Sequence, residues 1–393
     1  MKRFLLFLAG LGFLFLVAIG LFAACVVHAG RSMSFGSVFE HKESRSEERP
    51  LEVASGGRLE VDLVAGDVRI TSAAADSVSM KATISAYGST AEDAKSRLAE
   101  TKLEVESMEG GVRVRLAAPA REDSWFHTSG ASADLEIRLP EGVRLDVRTK
   151  VGDVEAKGAF GATVARSSYG KVRVRGVEGD LEATSSSGDV EVEGAHGASV
   201  VARSSYGGVV VRKCRADNLE VRSGSGDLEI RDWKGARATI ETSYGKIDFR
   251  KASGTVLAKS SSGDVEVYDA DGPITASSSY GAVRVAGILS TLAVDSASGD
   301  VSVHAHPGSR VDGTWTISTS YGKAKLLVPR ELPFDIDAAT NYGKVERSLQ
   351  VETDESPKSS PKSLKGKVNG GGGLVRIRCS SGDIDVSHSG GRP

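Results

Sequence analysis

The chain has 393 residues, enough for one large or two ordinary domains. Its 50 Lys and Arg against 52 Asp and Glu leave a net charge of −2, so no basic footprint for nucleic acid exists. Aromatics are only 6% of residues and Gly numbers 46, which suits thin cores between sheets, and the three cysteines form neither a disulfide framework nor a zinc spacing.

Lys2 and Arg3 precede an uncharged run from Phe4 to Gly30. As a helix that run exceeds a bilayer core, and the leading positive charges place the N-terminus in the cytoplasm with the rest outside. Three readings of residues 1–30 stay open. One is a retained transmembrane signal anchor. Another is a signal peptide cut after Val27-His28-Ala29, and the third is a lipoprotein signal ending at Phe22-Ala23-Ala24-Cys25. All three put the remaining chain outside the cytoplasmic membrane. Residues 31–50 turn polar and charged and read as a linker.

Residues 51–148 are strand-rich and irregular, with alternation in Leu59-Glu60-Val61-Asp62-Leu63 and Val68-Arg69-Ile70. One short helix is predicted near Thr90 to Lys102, with Thr90 and Asp93 as a capping pair. A stacked repeat needs an atypical end, so this region is expected to cap the repeats on its C-terminal side. His127, beside Trp125 and Phe126, is expected to pack near that cap.

Residues 149–350 are a regular array. Its corner glycines, from Gly152 to Gly299, recur at steps of 18, 18, 19, 19, 19, 18, 18 and 18 residues. Apolar residues fall two and four after each glycine, as in Val172 and Val174 or Leu228 and Ile230, and seven and five before it, as in Leu181 and Ala183. Period two on both sides of a corner means two strands per repeat, each with one face inward. The corners alternate between Ser-Gly-Asp, as at Gly188, and Tyr-Gly, as at Gly170. In a rung of 18–19 residues Asp189 would stack between Lys171 and Gly208, and Glu191 would come after Arg173. A repeat of twice that length would pile like charges on one another. The expectation is therefore an all-β parallel β-helix, a solenoid of 18–19-residue rungs. A propeller of blades twice as long is the alternative. Positive φ is expected at corner glycines such as Gly226. Cys214 and Cys379 fall about eight rungs apart, too far for a bridge, and are read as buried or inert thiols.

Residues 351–373, with Ser356-Pro357-Lys358-Ser359-Ser360-Pro361-Lys362 and Gly370 to Gly373, are read as a flexible insertion. Residues 374–393 return for a final rung and a fraying tail.

Repeated Ser-Ser-Gly-Asp-Val-Glu-Val and Ser-Tyr-Gly-Lys-Val-Arg-Val resembles a bacterial domain-of-unknown-function family described as "putative adhesins" with β-strand repeats. The resemblance covers residues 51–390 and implies an envelope protein with a β-helical body. It supplies no catalytic residues.

The Asp of each Ser-Gly-Asp corner is read as a turn cap in preference to a calcium ligand. Tyr169, Tyr206, Tyr244, Tyr280, Tyr321 and Tyr342 are the candidate site, an exposed interaction ladder, weighed against a structural ladder lying on the corner. Carboxylate pairs such as Asp153 with Glu155 can be drawn, but regular rungs offer no single cleft. His304 and His306 share a strand face, and two ligands are too few for closed zinc. No catalytic residue, metal or cofactor is assigned. The functional expectation is a membrane-tethered, extracytoplasmic, non-catalytic adhesin-like surface or scaffold. Its partners would be an envelope protein, a glycan or further copies of itself. A carbohydrate-active β-helix enzyme and a self-assembling β-helical polymer are the alternatives.

Overall fold

The computed structural model describes residues 41–74, 78–118, 130–352 and 361–389. The apolar run, His127 and residues 353–360 and 390–393 lie outside them. Among the described residues no helix is long and apolar enough to cross a membrane.

Strand pairing gives the rung length directly. Val172 pairs in parallel with Val154 on one side and Val190 on the other. Leu181 pairs with Thr163 and Val200. Parallel neighbours 18 or 19 residues apart make each repeat one turn of a solenoid, because a propeller blade is built from antiparallel strands instead. The alternating apolar positions form the core: Val172, Val190, Ile230, Phe249 and Val265 are buried. A strand in the middle of such a stack is bonded on both edges, so period two sorts its side chains into core and solvent sets.

A rung has a further side that two strands do not account for. Six residues after the corner glycine, Lys213, Asp232, Lys251 and Asp269 take φ of 53°, 57°, 58° and 53°. Lower rungs place Gly176 and Gly194 there, at 80° and 66°. The left-handed residue turns the chain, and Cys214 then pairs with Trp233 and Trp233 with Ala252 on a short additional side.

The lower end is built from residues distant in sequence. Arg58–Ala65 and Val68–Ser72 form a first rung, and Arg58 pairs with Arg144 and Val68 with Val154. The repeat thus begins inside the region expected to cap it. The intervening chain widens this end. Gly111–Ala117 pairs in parallel with Arg58–Asp62 and antiparallel with Lys102–Met108. Ala131–Leu139 pairs in parallel with Val68–Ser72 and antiparallel with Ser79–Gly88. Residues 41–50, expected as linker, instead form an edge strand antiparallel to Ser79–Gly88. Its charged sequence suits an edge, where unpaired backbone would otherwise recruit another strand. The helix Ala91–Glu100 starts at Thr90, whose hydroxyl accepts the Asp93 N–H at 3.1 Å. It stops where the Thr101 N–H and hydroxyl both turn back to the Arg97 carbonyl.

At the upper end sequence order and stacking order part. Thr314–Thr319 pairs with Leu374–Cys379, which pairs in turn with Phe334–Thr340. Ala324–Val328, Ile384–His388 and Val345–Arg347 stack in the same order. The last rung in sequence is therefore inserted below the one that precedes it. Part of the expected insertion is also ordered as strand: Ser363–Val368 runs antiparallel along Phe334–Ala339.

Candidate functional site: a tyrosine-lined edge

Most corners begin with a hydroxyl three residues before the glycine. Ser185 donates to the Gly170 carbonyl of the rung below at 2.8 Å and accepts the Gly188 N–H of its own corner at 2.9 Å. Ser204, Ser223, Thr242, Ser260, Ser278 and Ser296 repeat this pair of bonds. At Cys379 a sulfur takes the place of the oxygen, 3.2 Å from the Gly322 carbonyl and 3.0 Å from the Gly382 nitrogen. This buried ladder staples rung to rung and was missed from sequence. Its signal was present, a Ser or Thr recurring three before the corner glycine. Ser185→Ala would leave the Gly188 N–H and the Gly170 carbonyl without their partner, at a cost of about 1–3 kcal/mol. Cys379→Ser should shift stability by less than about 1 kcal/mol, since it restores the oxygen. Denaturant melts of both variants check this, and a Ser185→Ala melt matching wild type would remove the staple from the account.

The acidic corners cap backbone. Asp227 accepts the Lys246 N–H at 2.7 Å, Asp264 the Ala282 N–H at 2.8 Å, and Asp300 the Lys323 N–H at 2.8 Å. Lys171 Nζ reaches Asp189 at 3.1 Å and Arg173 reaches Glu191 at 2.8 Å, the cross-rung pairs that alternation implies. No group of three or more metal-binding side chains occurs among the described residues.

The residue just before each corner glycine points outward. The six tyrosines are exposed, from 70% at Tyr169 to 82% at Tyr342. They stand in solvent and do not lie folded on the corner. Exposed Ser187, Ser225, Ser262, Ser298 and Ser381 fill the corners between them. The out-of-order rung preserves this pattern. Stacked in sequence order, Tyr321 and Tyr342 would adjoin, as would Lys323 and Lys344. Inserting Ser381-Gly382-Asp383 separates both pairs, and Asp383 accepts the Lys344 N–H at 3.0 Å. With strands about 4.8 Å apart, the tyrosines recur at about 10 Å along an edge of about 50 Å.

The remaining candidate groups are held by partners within the fold. Asp153 accepts the Lys171 N–H, while Glu155 bonds Arg69 at 3.4 Å, so that carboxylate pair is already engaged. The His304 and His306 rings meet edge to face at 4.9 Å. Cys214 and Cys379 are unpaired and buried, and burial pushes the Cys214 thiol up to about 12. An open groove of about 410 Å³ lies over the lower rungs. Its Asp146 is held by Arg58 and Arg148, its Glu182 by Arg166, and its Asp180 by the Ser199 N–H.

Charge pairing predicts acid sensitivity. Hydrogen bonds from Arg113, Arg173, Lys213 and Arg378 hold Glu60, Glu191, Glu193 and Asp337 below their ordinary values of 4.5 for Glu and 3.8 for Asp. At Glu229 burial pushes upward, but Arg212 and Arg231 outweigh it. Depressed carboxylates contribute stability above their ordinary values and lose it as pH falls through the lower folded ones. His304 is held below 6.5 by burial and then by His306, so its protonation also favours the unfolded chain. The melting temperature should be flat between pH 7 and about 9, slip slightly below 6.5 and fall further below 4.5, and fall again at higher pH, where the Cys214 thiol ionises more readily in the unfolded chain. The pairs are half exposed, so each contributes little. A melting temperature that rises on acidification below neutral pH would contradict this, and His304→Gln should remove only the step below 6.5.

The family description Toastrack DUF4097 matches residues 56–286 and 274–387. The chain belongs to the DUF4097 family. This Toastrack chain has no match among curated proteins. Among solved structures it is similar to three bacterial proteins. One is a "putative cell adhesion protein" of Clostridium sporogenes, 9% identical with a TM-score of 0.18, covering 89% of this chain and 100% of that one. Another is a "putative adhesin" of Bacteroides fragilis, 11% identical with a TM-score of 0.22, covering 89% and 98%. A third is a "putative adhesin" of Parabacteroides distasonis, 13% identical with a TM-score of 0.24, covering 88% and 97%. The Toastrack repeat in this chain is one turn of the parallel solenoid.

Proposed function

We propose that this Toastrack chain is a non-catalytic, adhesin-like recognition surface. Its N-terminal apolar segment holds it outside the cytoplasmic membrane, and the tyrosine edge makes the contacts. The observation that carries the reading is six large aromatic side chains, each at least 70% exposed, on every second rung along one edge of the stack. Exposed apolar groups so arrayed mark an interaction site, and tyrosine combines a large apolar face with a polar tip. A catalytic reading finds less support. A glycan-cleaving acid needs a carboxyl raised above its ordinary value, and the carboxylates displaced from their ordinary values among the described residues are all displaced downward. An end-to-end polymer finds less support too. Charged His41–Pro50 and antiparallel Ser363–Val368 lie at opposite ends and interrupt the parallel ladder.

The test replaces all six tyrosines by serine. The variant should melt within a few degrees of wild type, because exposed side chains contribute little to stability. Cells producing the wild-type chain should sediment with isolated cell envelopes, and cells producing the variant should not. Equal sedimentation would end the recognition reading. External protease should remove the chain from intact spheroplasts, and protection would end the extracytoplasmic one.

A further inference from the structure

We propose that the tyrosine edge pairs with the same edge of a second copy, in an antiparallel arrangement related by a two-fold axis. The inference rests on the edge being a recognition surface and names its partner. The edge is a row of large residues separated by small ones: Tyr244, Ser262 and Tyr280 occupy consecutive corners, and all three are exposed. Beside this row runs a second one, in which the residue after the corner glycine alternates between Asp, as at Asp264, and Lys, Gly or Ala, as at Lys246.

Both rows are self-complementary under one operation. Take two copies edge to edge, with solenoid axes antiparallel and a two-fold axis crossing the edge between a tyrosine rung and a serine rung. Every tyrosine rung then faces a serine rung. The operation also keeps the charged row on the same side in both copies. Lysines therefore face aspartates, as Lys246 faces Asp264 when the axis passes between their rungs. A two-fold axis along the solenoid would set tyrosine on tyrosine instead. An isologous pair requires such a self-complementary surface.

The inserted last rung supports this. Without it the top of the edge would carry adjacent tyrosines and adjacent lysines, and the matching would fail there. Within one chain Lys171 already bridges Asp189 at 3.1 Å, so the facing carboxylate adds to a charge pattern that is laid out in advance. Seating five tyrosines from each copy at roughly 150 Å² apiece buries about 1,500 Å², the size of a stable interface. The pair also sets the two lower ends at opposite ends of the assembly, the arrangement of copies reaching from facing surfaces.

The axis passes on one side or the other of the Ser262 rung, so the two Ser262 positions lie about 5 Å apart along the edge in either case. Ser187 lies at least seven rungs from its symmetry mate, on the order of 30 Å away. The full chain, purified in mild detergent, carries Ser262→Cys or Ser187→Cys. The unaltered chain, with its three native cysteines, serves as the background. Under mild oxidation Ser262→Cys should give a disulfide-linked dimer well above background, and Ser187→Cys should not. Sedimentation equilibrium of the unaltered chain should give a dimer at micromolar concentration. The double variant Tyr244→Ser, Tyr280→Ser should be at least ten-fold weaker in association with an unchanged melt. A monomeric unaltered chain, equal cross-linking at both positions, or a dimer indifferent to the tyrosines would overturn the proposal. A monomeric chain that loses envelope sedimentation when its tyrosines are removed would overturn the pairing and leave the recognition reading standing. In that event binding to soluble β-linked oligosaccharides would identify a glycan as the occupant.

Discussion

Gly226→Ala should cost about 3–5 kcal/mol, at the top of the range for a single substitution. A Cβ at this position would lie 2.1 Å from the Gly207 carbonyl oxygen, 2.3 Å from its carbon and 2.6 Å from the Gly208 nitrogen. These are backbone atoms of the adjacent rung, and they cannot swing aside. Ser223 bonds the same Gly207 carbonyl at 2.9 Å, and Val209 and Leu228 pair just beyond the corner. To admit one methyl group the rungs must separate, and that breaks ladder bonds on both flanks. The sequence suggests positive φ at this glycine, and the structure corrects that reason. Gly226 is not among the residues in the left-handed region, so its requirement is close approach and not backbone conformation. Gly208→Ala is the control. Its Cβ would meet the Asp227 carbonyl at 3.4 Å, an ordinary contact, and its effect should stay within about 1 kcal/mol. Chemical denaturation of the two variants decides the matter: equal midpoints would refute the close-approach account.

Ile230→Asp should leave little folded protein, with a loss of at least about 4 kcal/mol. Ile230 is fully buried and stacks between Val211 below and Phe249 above. A carboxylate there has apolar neighbours along the ladder and no cation facing it. It must either remain charged in the core or take up a proton at a cost in stability. One residue earlier on the same strand the outcome reverses. Glu229 faces outward, bonded by Arg212 at 2.9 Å and Arg231 at 2.7 Å. Glu229→Gln keeps an acceptor for both arginines and should change stability by no more than about 1 kcal/mol. Melting curves of the two variants read the register directly. If Glu229→Gln unfolds the chain and Ile230→Asp does not, the inner and outer faces of this strand are exchanged.

Much of the architecture was legible because it is written in short-range patterns. Alternation along Leu228-Glu229-Ile230 assigns faces to a strand without reference to any other strand. The recurrence of a corner glycine every 18 or 19 residues defines the rung. The change of sign from Lys171 to Asp189 selects the short rung over a double one, since only then do opposite charges stack. The recurrence of tyrosine before alternate corner glycines was legible as well, but sequence left open whether the rings stand in solvent or lie on the corner, and their exposure of 70% or more in the structure decides it.

Other features were decided only when rungs met. The serine three before each glycine looks like turn composition until the carbonyl of the rung below is placed against it. Residues 41–50 have the polarity of a linker, and they become a strand because Ser79–Gly88 offers a free edge. The place of the last rung is the clearest case. Every rung of a parallel stack has the same hydrogen-bonding edges above and below, so local sequence alone does not set stacking order. That order is settled by what lies next to what: tyrosine beside serine, lysine beside aspartate, and a backbone N–H of Lys344 that only Asp383, carried in from a later part of the chain, is placed to receive.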